Sequence, residues 1–308
     1  MARHARCGAP APLFFILPAL IAVFFWIGPR ALWGQQWRAA TQAGGAPAPA
    51  TCAAAERGSR AWAAFFSDAS IDIYTAFFWA RAGEVTHARF AALPPVFSGA
   101  RAATLGDGGA DGHKTFAELR YLRAPCVAYS FGGNAEVGFE EALLRAAPCD
   151  VWQFDCTVST ARMDAALAHL PASLRARFHF LPYCVGVEGA VVDLAYGGVT
   201  ARATMRSVRA VMRELGHTRV DVLKMDVEGA EIAALPAFFA GLPPSSRPSQ
   251  VSMELHAFGD APPSVKLAPV LALLRAGYVL IAQRDNEFGW RGCCTELAFA
   301  LCEVVSEV

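Results

Sequence analysis

The chain has no charge to spare and little lysine. Its 27 basic and 27 acidic side chains cancel, and only three of the bases are Lys. A nucleic-acid partner needs a basic surface, so the balance argues against one. No acidic residue precedes Glu56, and the first 55 residues carry only Arg3, Arg6, Arg30 and Arg38 as full charges. No Cys-x-x-Cys pair occurs among the nine cysteines, which argues against a zinc site. No internal repeat is present, and nothing in the composition suggests disorder or a disulfide miniprotein. The hydrophobic share of 55% looks extreme, but 61 of those residues are Ala. At 308 residues the chain is long enough for one or two domains with a sizeable core.

The missing charge is concentrated at the start. Cys7–Pro29 is uncharged, and Leu13–Ile27 is almost entirely large and apolar. A spanning helix needs about 20 such residues. The pattern predicts a cytosolic tail over 1–10, a signal-anchor helix over 11–28, a flexible stem over 29–60, a helical extension with a loop over 61–115, and a main domain over 116–308. Arg residues flank the span on both sides, so the positive-inside rule does not set its orientation by count. A cleaved signal peptide is the alternative; Trp33 spoils the best small-x-small site. The expected placement is a single-pass type II protein of the secretory pathway, Golgi or ER, with a lumenal domain, or a secreted protein if the leader is cleaved. Gln35–Ser59 is rich in Ala, Gly and Pro, as a stem would be.

Ala61–Leu93, rich in Ala and aromatics, reads as one or two helices packed on the main domain, with a substrate lid as the other reading. Pro94–Gly112 reads as loop. From about Lys114, strands and helices alternate. Strands are expected at Cys126–Phe131, Val151–Phe154, Arg177–Tyr183, Val220–Met225, Gln250–His256, Tyr278–Arg284 and Thr295–Cys302. Helices are expected at Val137–Ala147, Ser159–Leu170, Thr204–Leu215, Ala230–Ala240 and Val265–Ala276. Such alternation implies a mostly parallel α/β sheet covered on both faces. Ligands on such sheets bind beyond the C-terminal strand ends, near the topological switch point.

Three strand ends carry unusual chemistry. Tyr129-Ser130-Phe131-Gly132-Gly133-Asn134 closes the first strand. Two glycines there let a ligand approach the backbone, though a tight turn alone would also use them. Asp155 closes the second strand, 22 residues after Gly133, where a carboxylate can accept both hydroxyls of a ribose or cap the next helix. Asp226, Glu228 and Glu231 follow the fourth strand around Gly229. Glu228 and Glu231 also suit the first turn of a helix. Asp226 at the strand tip is harder to explain structurally, and neighbouring carboxylates raise one another's pKa.

The run VDVLKMDVEGAE, residues 220–231, resembles the signature of the FkbM-like S-adenosylmethionine-dependent methyltransferases. Together with YSFGGN, the FD ending the second strand, ELGH, QVSMELH and CTELAFAL, it is closer still to the methyltransferase-like 24 family. The resemblance spans roughly residues 116–308. It implies a Rossmann-like class I methyltransferase fold of seven strands, the last antiparallel, and S-adenosylmethionine as cofactor. Gly132, Gly133 and Asn134 would wrap the methionine part and Asp155 would bind the ribose. Asp226 and Glu228 would lie beside the methyl group and the acceptor. The chain departs from the pattern at Ser130, where many such enzymes have an acid, and at Glu136, where the second Gly of the turn would fall. Glu136 or Asp226 would have to compensate.

Transfer to a hydroxyl also requires proton removal. His256, ending the fifth strand, is the candidate base, with Asp226 and Glu254 as rivals and a structural hydrogen-bonding role as the other reading. His217 falls at the opposite edge and reads as structural. The acceptor class stays open among small molecules, glycans and proteins. Two other functions fit parts of the sequence. One is a lumenal glycosyltransferase holding a metal on Asp226 and Glu228; the methyltransferase reading itself needs no metal. The other is a catalytically inactive module on the same fold. Eight of the cysteines would face an oxidising lumen, so disulfides are expected without assigned partners.

Overall fold

The computed structural model describes residues 51–65, 96–97, 100–106, 112–117, 119–196, 199–256, 262–285 and 294–305. The expected tail, the membrane anchor, most of the stem and most of the aromatic stretch 61–93 lie outside these residues. Among the described residues no helix is long and apolar enough to cross a membrane.

The end of the expected stem is not flexible. Helix α1 spans Cys52–Phe65. Ala is the strongest helix former, and Thr51 accepts from the Ala54 N–H at the N-terminus (3.3 Å). Glu56 and Arg60 pair across one turn at 2.6 Å. Cys52, Ala55, Ser59, Trp62 and Ala63 form a buried stripe, and Cys52 is disulfide-bonded to Cys302. Composition suggested a linker; the spacing of the buried positions makes it an amphipathic helix. The expected loop 94–112 also contains a strand. β1 (Ala102–Leu105) pairs antiparallel with β2 (Lys114–Ala117). β1 is short and mostly exposed, so no apolar pattern announces it.

The main sheet has seven strands. β3 (Cys126–Phe131), β4 (Cys149–Phe154) and β5 (Phe178–Leu181) are followed, after an excursion, by β9 (Val222–Met225), β10 (Gln250–His256), β11 (Tyr278–Asp285) and β12 (Cys294–Leu301). Their order across the sheet is β11-β12-β10-β9-β3-β4-β5. β12 runs antiparallel to both neighbours, β10 and β11. The pairs from β10 to β5 are parallel. The excursion is a three-stranded sheet of β6 (Cys184–Val185), β7 (Val191–Tyr196) and β8 (Val199–Arg206). It corrects the helix expected from Thr204. Thr204–Arg206 finish β8, and the helix starts at Val208 after Ser207, whose hydroxyl accepts from the Ala210 N–H (3.2 Å).

Helices cover the sheet: α2 (Gly138–Ala146), α3 (Thr160–Ala166), α4 (Ala172–Arg175), α5 (Val208–Leu215), α6 (Glu231–Phe239), α7 (Pro263–Lys266), α8 (Ala268–Arg275) and α9 (Cys302–Val305). One core cluster gathers Phe139, Leu143, Val151 and Met163. A larger one gathers Val211, Leu223, Leu235, Met253 and Leu271. From β3 the chain winds outward to β5, then returns to place β9 on the other side of β3. The switch point therefore lies between the tips of β3 and β9.

Candidate active site

Gly132 follows β3 with φ +76°, and a Cβ there would overlap the carbonyl oxygen of Asp226 at the tip of β9. Only glycine lets these two turns touch. A Cβ on Gly133 would strike the Gln153 side-chain amide. Beyond them Asn134 (φ 47°) and Ala135 (φ 61°) are left-handed, as is Glu228 (φ 54°) in the facing turn. Among the described residues these are the non-glycine residues with positive φ, and all three sit at the switch point. Such backbone costs roughly 1–3 kcal/mol per residue and gathers at functional sites.

Asp155 binds this turn. Its Oδ2 accepts from the Asn134 N–H (2.8 Å), and its Oδ1 from the N–H and hydroxyl of Thr157 (2.9 and 2.6 Å). Arg162 donates to the Asn134 carbonyl at 3.0 Å. Gly132, Asn134, Asp155 and Asp226 thus meet around one turn. Glu136 stands slightly apart, where a cleft of about 510 Å³ opens between the ends of the β1–β2 hairpin and the start of α2. Of the residues expected to hold a cofactor, only Glu136 lines that cleft.

Ser130 lies beneath the glycines. Its hydroxyl donates to Glu140 Oε1 of α2 at 2.5 Å. Sequence reasoning did not single out Glu140. The signal was available: Glu140 falls in the first turn of a helix that packs on the strand bearing Ser130. Burial pushes its carboxyl pKa up, against the pull of nearby Lys224 and the Ser130 hydrogen bond. Lys224 itself donates to the Gly132 carbonyl at 2.6 Å.

The tips of β9, β10 and β12 hold a second cluster around Lys114. The fully buried ammonium of Lys114 reaches Asp226 at 3.0 Å, Glu254 at 3.8 Å, and Glu296 in a short ion pair. It comes from the first residue of β2, a strand that straddles the expected domain start at 116, and sequence reasoning missed it. Burial pulls its pKa down, but Asp226, Glu296 and Glu254 outweigh this and raise it. Burial would lift Asp226; the charges of Lys224, Lys114 and His256 hold it well below the usual carboxylate range instead. Glu254 goes the other way. Burial and the charges of Asp226 and Glu296 push it up to about 7.

His256 is not a free base. Glu231 Oε1 accepts from its backbone N–H (2.8 Å) and meets its Nδ1 (3.1 Å). Its Nε2 faces Glu228 at 3.6 Å, Glu254 at 3.8 Å and Asp226 at 4.0 Å. Burial would lower its pKa, but Glu231, Glu254 and Asp226 prevail and raise it to about 9. At neutral pH it is an imidazolium that organises acids. Glu231, fully buried, also accepts from the Gly229 N–H (2.9 Å), tying the Asp226–Gly229 turn to the end of β10. Glu228 projects outward, its side chain 56% exposed. His217 lies away from both clusters, its Nδ1 2.7 Å from the Tyr129 hydroxyl.

Residues 185–280 match the methyltransferase FkbM domain. The FkbM match contains Asp226, Glu228 and His256 and begins after the Gly132–Asp155 half of the site. It does not single out the methyltransferase-like 24 family. No curated protein matches the chain in sequence. Among solved structures, methyltransferase FkbM from Methylobacillus flagellatus is 12% identical over 55% of this chain and 42% of its own, with a TM-score of 0.36. The glycopeptide N-methyltransferase MtfA complexed with S-adenosylmethionine is 11% identical over 59% of this chain and 90% of its own, at 0.33. Mitomycin 7-O-methyltransferase MmcR is 12% identical over 57% and 49%, at 0.30. At scores this low the fold rests on the strand order. That order is the one expected of a class I methyltransferase fold, and the FkbM match runs from β6 into β11 of it. The residues present fit the expected S-adenosylmethionine: a carboxylate at the end of β4, and buried polar atoms beneath the glycine turn that have no partner.

Proposed function

We propose that the chain methylates a hydroxyl group of a small-molecule, glycan or protein acceptor. The observation that carries this is the Asp226–Glu254–Lys114 cluster at the switch point. Asp226 reaches the surface, its side chain 21% exposed, while Glu254 lies behind it. S-adenosylmethionine supplies the activated methyl group. Gly132, Gly133, Asn134 and Asp155 hold the cofactor. Asp226, kept ionised, accepts a hydrogen bond from the acceptor hydroxyl and orients it. Glu254, with its pKa near 7, is the group able to take up the released proton at neutral pH. Lys114 and His256 keep the acids from repelling one another.

The metal-dependent glycosyltransferase reading has less support. A divalent ion on Asp226 would have to displace the Lys114 ammonium already paired with it.

Calorimetry with S-adenosylhomocysteine tests the cofactor half. The intact chain should bind it, and Asp155→Ala should weaken binding at least tenfold while keeping a cooperative melt. Undiminished binding would remove Asp155 from the site. For the acceptor, methyl-labelled cofactor is offered to glycan, metabolite and protein pools. Label in an alkali-stable methyl ether supports hydroxyl methylation; label on nitrogen overturns it.

The same proposal puts the domain in the secretory lumen, with residues 11–28 as a type II anchor or, in the secreted alternative, a cleaved leader. Disulfides with both cysteines among the described residues support an oxidising compartment: Cys52–Cys302, Cys126–Cys149 and Cys156–Cys184. Protease protection of the domain in intact microsomes is the expected result. Digestion without detergent would refute it, and release into the medium would favour the secreted form.

A further inference from the structure

One polar row crosses the main sheet beneath the glycine turn. Gln153 of β4, Ser130 of β3, Lys224 of β9 and Ser252 of β10 are register partners in sequence, so their side chains share one face. All four are buried. Glu140 of α2 lies over this row, hydrogen-bonded to Ser130.

The row is incompletely satisfied. Glu140 Oε2 and both amide atoms of Gln153, Oε1 and Nε2, are buried without a hydrogen-bond partner. A buried polar atom left unpaired forfeits its hydration without compensation, so three unpaired atoms together are uncommon in a native protein. The two residues flank the same glycine pair. Glu140 is bonded to the residue two before Gly132, and the Gln153 amide touches the space a Gly133 side chain would fill. Lys224 does not complete them; its ammonium goes to the carbonyls of Gly132 (2.6 Å) and Phe131 (3.4 Å).

The unpaired set is chemically specific. It comprises a carboxylate oxygen and an amide oxygen as acceptors, with an amide N–H group as donor. An α-amino acid zwitterion is the complement: an ammonium for the acceptors and a carboxylate for the donor. We infer that Glu140 and Gln153 bind the amino-acid end of the cofactor, with Glu140 supplying from a helix the acid that Ser130 lacks on the strand. Neither Glu136 nor Asp226 takes that role. Glu136 lines the outer cleft, and Asp226 is engaged by Lys114. This inference rests on the methyltransferase reading.

The test compares two ligands on the full-length chain: S-adenosylhomocysteine, which has the amino-acid end, and 5′-methylthioadenosine, which does not. The wild type should prefer the first by at least tenfold. Glu140→Gln should lose at least tenfold for S-adenosylhomocysteine while methylthioadenosine stays within twofold. Ser130→Asp added to Glu140→Gln should restore the preference. Gln153→Met gives a second, independent reading with the same selective loss, should Glu140→Gln fail to melt cooperatively. Equal losses for both ligands, or no loss, would overturn the inference while leaving the methyltransferase reading intact. A wild type that binds neither ligand would overturn both.

Discussion

Lys114 carries more electrostatic responsibility than any other single residue of the site. Its ammonium is the shared counterion of Asp226, Glu254 and Glu296. Removing one partner of a buried ionic group costs about 3–5 kcal/mol, because the remaining charge is stranded. Lys114→Met should therefore destabilise the fold by about that much in urea titration, and Glu296→Gln in the same background should recover part of the loss. His256 makes a pH-dependent prediction. Its folded pKa of about 9 lies above the ordinary imidazole value near 6.5. The stability it contributes is complete below about 6.5 and is lost as pH rises through about 9. Melting curves from pH 6 to 10 should show this alkaline decline, and His256→Gln should flatten it. An unchanged slope would show that the imidazole is not held protonated.

At the scale of elements, the two turns at the switch point behave as one unit. Gly132→Ala combines a strained φ with an overlap against the Asp226 carbonyl. It should abolish S-adenosylhomocysteine binding and lower stability by more than the roughly 1–3 kcal/mol of backbone strain alone, as measured by calorimetry and denaturation. The elements also separate what sequence reveals from what it conceals. β3 and β10 fall at the expected residues, because CVAYSF reads as a nearly unbroken apolar run and QVSMELH as a strict polar–apolar alternation. The β7–β8 hairpin was hidden: β8 runs to Arg206, one residue before the cap of the helix whose spacing Val208, Val211 and Met212 announce. The strand-tip residues Gly132, Asp155 and Asp226 were legible because topology alone carries them to one place. Lys114, Glu140 and Gln153 were not, because their roles depend on side chains meeting across elements distant in sequence.

The whole molecule is cross-linked from end to end of its described portion. The Cys52–Cys302 bond joins α1 to α9, 250 residues apart in sequence. Cys126–Cys149 joins the starts of β3 and β4, and Cys156–Cys184 joins the residue after Asp155 to β6. Removing a native disulfide costs roughly 2–5 kcal/mol. Paired replacement of Cys52 and Cys302 by Ser should lower the melting temperature with S-adenosylhomocysteine affinity little changed, since that bond lies away from the switch point. Replacement of Cys156 and Cys184 should weaken cofactor binding as well, because it frees the segment that holds Asp155.

The β2 strand has a practical meaning for where this domain begins. Residues 116–308 contain every strand of the seven-stranded sheet. A chain started there would fold, if at all, around three inward-facing acids with their counterion cut away. Proton uptake by those acids would then replace the ammonium as the means of neutralising them, and the truncated protein would gain more stability on acidification than the intact one, in which Glu254 is already raised to about 7. The boundary of the catalytic unit is thus set by one lysine and not by the first strand of the sheet.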